Sequence, residues 1–220
     1  MKKLLYIIPS SKPEEISSSQ QTARKFINQF LSAYNDYSVQ ELNLYQEYIP
    51  EPNHRYFVSR AQLVSGEKFE ELNDREKKDV QRMQELCNIF KSADRYVIAA
   101  PMWTLSFPYK LKQFIDCIIL NEQTISISTQ GVKGLMKDKE RKLLYIQSSA
   151  AIFPFTAINV PLLGSRVNHG VTYVKDVFTF LGIKHTHQLL VEGTEIDDIG
   201  SDKAIEKAST KIQKLVKDMR

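Results

Sequence analysis

The sequence predicts an α/β fold in which a parallel sheet of five strands lies between two layers of helices. Five short apolar segments alternate with longer segments of helical periodicity, a spacing typical of βαβ units. Residues 97–100 read Val-Ile-Ala-Ala, an apolar run without polar alternation, as in a strand covered on both faces. Together these two observations favour a sheet buried between helices over a half-exposed antiparallel sheet.

The bounds of the predicted elements follow from the apolar positions and from the residues that end each segment. The predicted strands are residues 3–8, 37–44, 96–100, 142–147 and 185–191, and the predicted helices are residues 18–33, 73–92, 109–119, 161–181 and 202–219.

The first half of the chain supports the first two strands and helices. The first strand is an apolar run too short for a signal peptide, and the first helix repeats apolar side chains on one face. The second strand is followed by an irregular segment, residues 45–72, with Pro50 and Pro52 near its start. Asn73 and Glu76 have the spacing of a capping box, which opens the second helix.

The second half is delimited mainly by prolines and glycines. Pro101 ends the third strand because it has no N–H for the ladder, and Pro108 suits the first turn of the third helix. Residues 124–129 alternate apolar and polar side chains before Gly131, which indicates a short hairpin. The fourth helix ends at Gly182, a suitable residue after a helix C-terminus. The last helix has one continuous apolar face.

Right-handed crossovers between five such strands favour the spatial order 2-1-3-4-5, the flavodoxin-like three-layer topology. Residues 1–220 show no composition change that would mark a domain boundary, so we expect one domain.

Composition excludes several classes of protein. The net charge of +4 on 220 residues is mild, and lysines alternate with acidic residues as on solvated helix faces. No apolar run approaches the ~18 residues of a membrane span. We therefore expect a cytoplasmic protein that binds neither nucleic acid nor membrane. Cys87 and Cys117 are isolated and predict buried thiols, and His185 and His187 have no third ligand for a metal.

Serine hydroxyls cluster where the first strand joins the first helix. The loop lacks the GxGxxG and GxxxxGK[ST] phosphate motifs. A helix N-terminus has unpaired N–H groups and a positive dipole end, so added hydroxyls can hold a phosphate there. The simpler alternative is that Ser17 or Ser18 only caps the helix. The serines in question are Ser11, Ser17, Ser18 and Ser19.

The loops after the third and fourth strands should open at the same edge of the sheet, at the switch point. Large apolar side chains after the third strand favour a flat aromatic ligand, and small residues after the fourth let a ring approach the backbone. The three loops together predict a site for a ligand with a phosphate tail and a flat head. The two further sets are Met102, Trp103, Thr104 and Leu105, and Ser148, Ser149, Ala150 and Ala151.

These loops resemble those of the FMN-dependent NADH azoreductases and the related flavodoxin-like NAD(P)H quinone oxidoreductases. Residues 99–108 and 111–116 are similar to the family's Pro-Met-Tyr/Trp-Asn-Phe-x-x-Pro and Leu-Lys-x-aromatic-x-Asp patterns, and the serine spacing matches its phosphate loop. The similarity covers nearly the whole chain. Two departures stand out: Thr104 replaces the family's Asn, and residues 148–151 replace its Ser-Arg-Gly-Gly loop.

The resemblance implies FMN as cofactor, NADH or NADPH as co-substrate, and a homodimer. It implies phosphate contacts from the serine cluster and ring contacts from the two other loops. The implied reaction is a two-electron, ping-pong hydride transfer through the flavin to a quinone or azo compound, with no catalytic side chain. The alternative is a diverged member that binds flavin weakly or not at all and acts as a binding or regulatory protein. An esterase-like hydrolase is disfavoured because no nucleophile–base pair is evident.

Overall fold

The computed structural model describes residues 1–152 and 168–220. Its strands are β1 Lys2–Ile8, β2 Tyr37–Asn43, β3 Phe57–Ser59, β4 Gln62–Leu63, β5 Arg95–Pro101, β6 Ile125–Ser128, β7 Gly131–Gly134, β8 Lys142–Ser149 and β9 His185–Glu192. Its α-helices are α1 Ser18–Ala33, α2 Glu67–Glu70, α3 Asp74–Ser92, α4 Tyr109–Ile118, α5 His169–Leu181, α6 Gly200–Ser209 and α7 Ile212–Asp218.

The predicted parallel sheet is confirmed. Five strands pair in the order β2-β1-β5-β8-β9, and every pairing is parallel. The predicted order counted the strands of this sheet alone. The chain numbering differs because β3–β4 and β6–β7 form separate two-stranded antiparallel hairpins. The second of these is the hairpin predicted near Gly131.

Side chains of the central strand alternate between two apolar cores. Tyr96 and Ile98 of β5 face the core that α3, α4 and α5 cover, whereas Val97 and Ala99 face the core that α1, α6 and α7 cover. All four side chains are fully buried. This alternation explains the continuous apolar run, because a strand covered on both faces needs apolar residues at every position.

Most predicted boundaries are confirmed to within two residues. The capping box at the start of α3 is present, with Asn73 Oδ1 accepting from Glu76 N and Glu76 Oε2 accepting from Asn73 N, both at 3.0 Å. Gly182 ends α5 in the left-handed conformation, with φ of 110°. The irregular segment at residues 45–72 contains the β3–β4 hairpin and the one-turn helix α2.

Two predicted helices were wrong in extent. The helix predicted over residues 161–181 begins only at His169, where Asn168 caps it by accepting from Val171 N at 3.2 Å. The predicted residues 161–167 lie outside the described residues. The last predicted helix is two helices, separated at Thr210 and Lys211. Thr210 Oγ1 donates back to the Lys207 carbonyl at 2.8 Å, a local bond that competes with the helix ladder.

Candidate functional site

A cavity of about 220 Å³ opens at the carboxyl ends of β1, β5 and β8. This is the edge of the sheet at which the strand order reverses and at which ligands of such folds bind. Its walls come from the loops after those three strands and from the loop after β9. The lining residues are Lys12, Ile16, Ser17, Ser18, Pro101, Met102, Trp103, Ser148, Ser149, Ala150, Thr194 and Glu195.

The N-terminus of α1 faces this cavity without a side-chain cap. Ser17 occupies the N-cap position, but its hydroxyl makes no capping hydrogen bond and lies 3.4 Å from Ser19 Oγ. Ser18 is already the first helical residue, and its hydroxyl lies 2.6 Å from Ser201 Oγ near the start of α6. The capping alternative is therefore wrong for both serines. The first N–H groups of α1 keep their capacity to bind an anion.

Lys12 adds a cationic side chain to the same wall. Both backbone polar groups of Lys12 are hydrogen-bonded. Gln20 Nε2 donates to the Lys12 carbonyl at 2.7 Å, and the Lys12 N–H donates to Ser10 Oγ at 3.3 Å. Ser10 and Gln20 are both buried, whereas the Lys12 side chain is exposed. The serine loop therefore presents a positive charge next to the helix N-terminus.

The loop after β5 turns back on itself at Trp103. The Ser106 N–H donates to the Trp103 carbonyl at 2.8 Å and the Trp103 N–H donates to the Ser106 carbonyl at 3.3 Å. The two residues between them, Thr104 and Leu105, have φ of 48° and 63°. Two consecutive positive φ values define a tight turn of the primed type. The turn leaves the Trp103 side chain 43% exposed at the mouth of the cavity.

The loop after β8 is joined to the loop after β9. The Ser149 carbonyl accepts from Gly193 N at 3.0 Å and from Thr194 N at 3.1 Å, and the Ala150 carbonyl accepts from Glu195 N at 3.2 Å. Neither Ala150 nor Ala151 is among the described residues with positive φ. The alanines at the family's Gly-Gly positions are therefore accommodated without left-handed backbone.

The structure brings seven of the twelve predicted site residues to the cavity: Ser17, Ser18, Met102, Trp103, Ser148, Ser149 and Ala150. The other five do not line it. Ser11 is exposed, Ser19 is buried against Ser17, and Thr104 and Leu105 form the exposed tip of the turn. Ala151 instead accepts a hydrogen bond from Ser149 Oγ at 2.7 Å through its carbonyl.

Five lining residues were not predicted: Lys12, Ile16, Pro101, Thr194 and Glu195. Thr194 and Glu195 follow the carboxyl end of β9, so the rule that was applied to three strand ends predicts them when it is applied to the fifth strand. Lys12 and Ile16 lie in the serine loop itself, and no pattern distinguishes them there from neighbouring exposed residues.

The cysteines do not contribute a nucleophile to this edge. Burial raises the pKa of Cys87 to about 11 and that of Cys117 to about 12, and both side chains lie within the core. Such thiols stay protonated near neutral pH and are inert.

Within residues 1–152 and 168–220, no group of three or more His, Cys, Asp or Glu side chains could hold a metal ion. No helix in the same ranges is both long and apolar enough to cross a bilayer.

The chain has flavodoxin-like relatives that match it over nearly its whole length. The model of the flavodoxin-like fold family Flavodoxin_2 matches residues 2–216. The chain is 45% identical over 220 residues to the FMN-dependent NADH:quinone oxidoreductase 1 of Clostridium acetobutylicum, which covers 100% of this chain and 97% of the relative. The corresponding enzyme of Ruminiclostridium cellulolyticum is 42% identical over 216 residues, covering 98% and 99%. The chain belongs to the family of FMN-dependent NADH:quinone oxidoreductases.

A solved structure agrees with this assignment. The FMN-dependent NADH-azoreductase from Bacillus anthracis, crystallised in complex with FMN, superposes with a TM-score of 0.81 at 26% sequence identity. The match covers 99% of this chain and 98% of that chain. The resemblance seen in the sequence motifs is thereby confirmed.

Proposed function

We propose that this protein is an FMN-dependent oxidoreductase that uses NADH to reduce quinones or azo compounds by two electrons. One observation carries the proposal: a single cavity joins the uncapped N-terminus of α1 to the only tryptophan of the chain. The first feature suits a phosphate, and the second suits a flat ring. The 45% identical relative is named for this activity.

The phosphate of FMN fits the serine end of the cavity. Ser17 and Ser18 line it, Lys12 adds positive charge, and the α1 dipole favours an anion at this point. The proposed phosphate contacts are Ser11, Ser17, Ser18 and Ser19, with Ser11 and Ser19 acting through the loop backbone rather than as lining side chains.

The isoalloxazine ring fits the other end. Met102 and Trp103 offer apolar surface, and Ser148, Ser149 and Ala150 form a small-residue wall beside them, where the Met102 N–H donates to the Ser148 carbonyl at 2.7 Å. We propose that Thr104, Leu105 and Ala151 act by shaping these walls. Bound FMN would supply two-electron hydride chemistry at this site, for an overall reaction in which NADH, a proton and a quinone give NAD⁺ and a quinol. The side chains bind, orient and shield, and none is required as a nucleophile.

The decisive experiment is the absorbance spectrum of the purified protein, followed by NADH oxidation with a quinone acceptor. We expect flavin absorbance bands and turnover that depends on both substrates. A colourless protein that also takes up no added FMN would favour the alternative of a diverged binding or regulatory protein. Flavin uptake without NADH oxidation would limit the proposal to cofactor binding.

The phosphate end has its own test. Ser17→Ala and Ser18→Ala should each raise the Kd for FMN about ten- to 150-fold, since hydrogen bonds to charged groups contribute about 1.5–3 kcal/mol. Riboflavin, which lacks the phosphate, should bind both variants and the wild type alike. Ser32→Ala is the matched control, because Ser32 lies at the far end of α1 and donates to the Asn28 carbonyl of its own helix. Equal FMN affinity in all variants would remove the serines from the phosphate site.

We further infer a cytoplasmic homodimer in which residues 1–220 form one domain. The family model covers residues 2–216, which supports one domain. Exposed apolar side chains at the site, among them Ile16 and Trp103, which are 63% and 43% exposed, support a covered surface there. Light scattering coupled to size-exclusion chromatography tests the dimer, and a monomer at micromolar concentration would contradict it.

A further inference from the structure

A buried side-chain amide lies directly behind the aromatic wall of the site. Gln147 precedes the small-residue loop on β8, and its side chain is only 1% exposed. Its Nε2 donates to the Ser106 carbonyl at 3.0 Å and to the Tyr145 hydroxyl at 3.1 Å. Its Oε1 accepts from Asn168 Nδ2 at 2.6 Å. Both amide hydrogens and the amide oxygen are therefore used, as buried polar groups require.

The neighbouring contacts fix which way round this amide lies. Asn168 Oδ1 accepts from the backbone N–H of Val171 as the cap of α5, so the Asn168 atom that faces Gln147 must be the donor Nδ2. Gln147 must then present its oxygen to Asn168 and its NH₂ group to Ser106. If the Gln147 amide were flipped, its NH₂ group would face the donor Asn168 Nδ2, and its oxygen would face the acceptor carbonyl of Ser106.

The group that Gln147 holds is the turn that carries Trp103. Ser106 and Trp103 exchange backbone hydrogen bonds across the turn, and the Leu105 carbonyl accepts from His169 N at 2.9 Å. Thr104 and Leu105 have positive φ, a conformation that persists in non-glycine residues only when the surroundings enforce it. Within residues 1–152 and 168–220, the contacts that enforce this conformation are those from the Gln147 amide of β8 and from the N-terminus of α5.

The close approach of α5 depends on a glycine. A Cβ on Gly170 would lie 2.5 Å from Gln147 Nε2, 3.0 Å from the Tyr145 hydroxyl and 3.2 Å from the Ser106 carbonyl carbon. Only a residue without a side chain lets the first turn of α5 lie against this amide. The helix start and the turn thus form one packed unit around Gln147.

We propose that Gln147 is a positioning residue of the cofactor site, whose buried amide holds the 103–106 turn so that Trp103 forms the wall of the ring pocket. Gln147 does not line the cavity and acts only through the turn. The inference rests on the proposed flavin site, but the geometry of the turn exists without cofactor and can be measured separately.

The test compares two glutamine amides that donate to loop carbonyls in different parts of the molecule. Gln147→Met removes the donor and acceptor at similar length. Gln113→Met is the matched control, since Gln113 Nε2 also donates to two loop carbonyls, Ile49 at 2.8 Å and Pro50 at 3.2 Å, away from the cavity. Because Trp103 is the only tryptophan, acrylamide quenching of its fluorescence in FMN-free protein reports on the turn alone.

We expect Gln147→Met to increase Trp103 quenching and to raise the Kd for FMN about tenfold, which corresponds to about 1.4 kcal/mol. Gln113→Met should change neither the quenching of Trp103 nor the Kd for FMN, even if it lowers Tm. Gln147→Glu carries the test if the Met variant does not fold, because it keeps the oxygen that faces Asn168 and replaces only the donor.

A folded Gln147 variant with wild-type quenching and wild-type FMN affinity would overturn the positioning role, as would equal effects of Gln113→Met on both readouts. If the wild-type protein takes up no FMN, the proposed function fails, and the quenching comparison on the FMN-free proteins still decides the role of Gln147.

Discussion

Thr104 has a left-handed backbone conformation that β-branched residues rarely adopt. Its φ is 48°, and that of Leu105 is 63°. Each such residue costs roughly 1–3 kcal/mol unless a glycine or an asparagine takes its place. The family pattern has Asn at the position of Thr104, which the local backbone explains, because the short amide side chain tolerates this region. The sequence shows that Thr104 replaces this Asn, and the positive φ of the turn shows that the replacement lowers stability.

Thr104→Asn should therefore stabilise the protein. We expect a gain of about 1 kcal/mol and a rise in Tm of about 2–4 °C for a chain of this size. Thermal unfolding of the FMN-free protein is the measurement. Thr172→Asn, at an exposed position within α5, is the control and should give no gain. An unchanged or lower Tm for Thr104→Asn would show that the turn is not strained at this residue.

Trp103 should contribute to flavin affinity through its ring. Trp103→Leu removes an aromatic contact of about 0.5–1.5 kcal/mol, so the Kd for FMN should rise about two- to tenfold. Flavin fluorescence during titration measures the affinity. Tyr109→Leu removes another exposed aromatic ring that does not line the cavity, and it should leave the Kd unchanged. Equal values for both variants would contradict ring contact at Trp103.

At the scale of elements, the contact between α5 and β8 is sensitive to a single methyl group. Alanine normally favours a helix over glycine by about 1 kcal/mol. At Gly170 the sign should be reversed, because the added Cβ would meet Gln147 Nε2 at 2.5 Å. Gly170→Ala should therefore lower Tm and increase Trp103 quenching together. A gain in Tm would show that α5 shifts without disturbing the turn.

The start of β8 is joined to the end of α3 by a buried guanidinium. Arg141 Nε donates to the Ala93 carbonyl at 3.1 Å, and its Nη1 lies 2.6 Å from Asp138 Oδ1. The Arg141 hydrogen bond lowers the pKa of the Asp138 carboxyl below its usual value. This contribution to stability is present above the unfolded-state pKa of about 3.9 and is lost as the pH falls through the lower folded value.

Asp138→Asn should accordingly lower Tm at pH 7, and its difference from the wild type should close as the pH falls below about 3.9. Thermal unfolding between pH 7 and pH ~2.5 tests this. Asp116→Asn is the control, because the Lys112–Asp116 pair is exposed at both ends, with side chains 50% and 42% exposed, and should contribute little. A pH-independent difference for Asp138→Asn would exclude an ionic origin.

For the whole molecule, cofactor binding and folding should be linked. A ligand that binds only the folded state at 100 times its Kd stabilises by about 2.7 kcal/mol, which for this size raises Tm by about 5–10 °C. Differential scanning fluorimetry with increasing FMN should show this rise, and ribose 5-phosphate at the same concentration is the control for a sugar phosphate without an aromatic ring. An identical shift with ribose 5-phosphate would indicate a general anion site.

The amino-acid sequence alone predicts the fold class, the five strands of the parallel sheet, most of the helices that cover it, and the edge of the sheet at which the cavity opens. These follow from local periodicity, prolines, glycines and caps, which act within a few residues of each other. It also identified the chemistry of the three loops, because serine hydroxyls and a tryptophan have the same preferences in any fold.

Which loop residues line the cavity depends on how the loops pack against each other in three dimensions. Ser17 and Ser18 face it while Ser11 does not, and Thr194 joins it from the end of β9. The role of Gln147 likewise depends on Ser106, Tyr145 and Asn168, which are brought together from three elements. Buried hydrogen-bond partners are chosen by packing between distant segments, and no pattern along the chain contains that information.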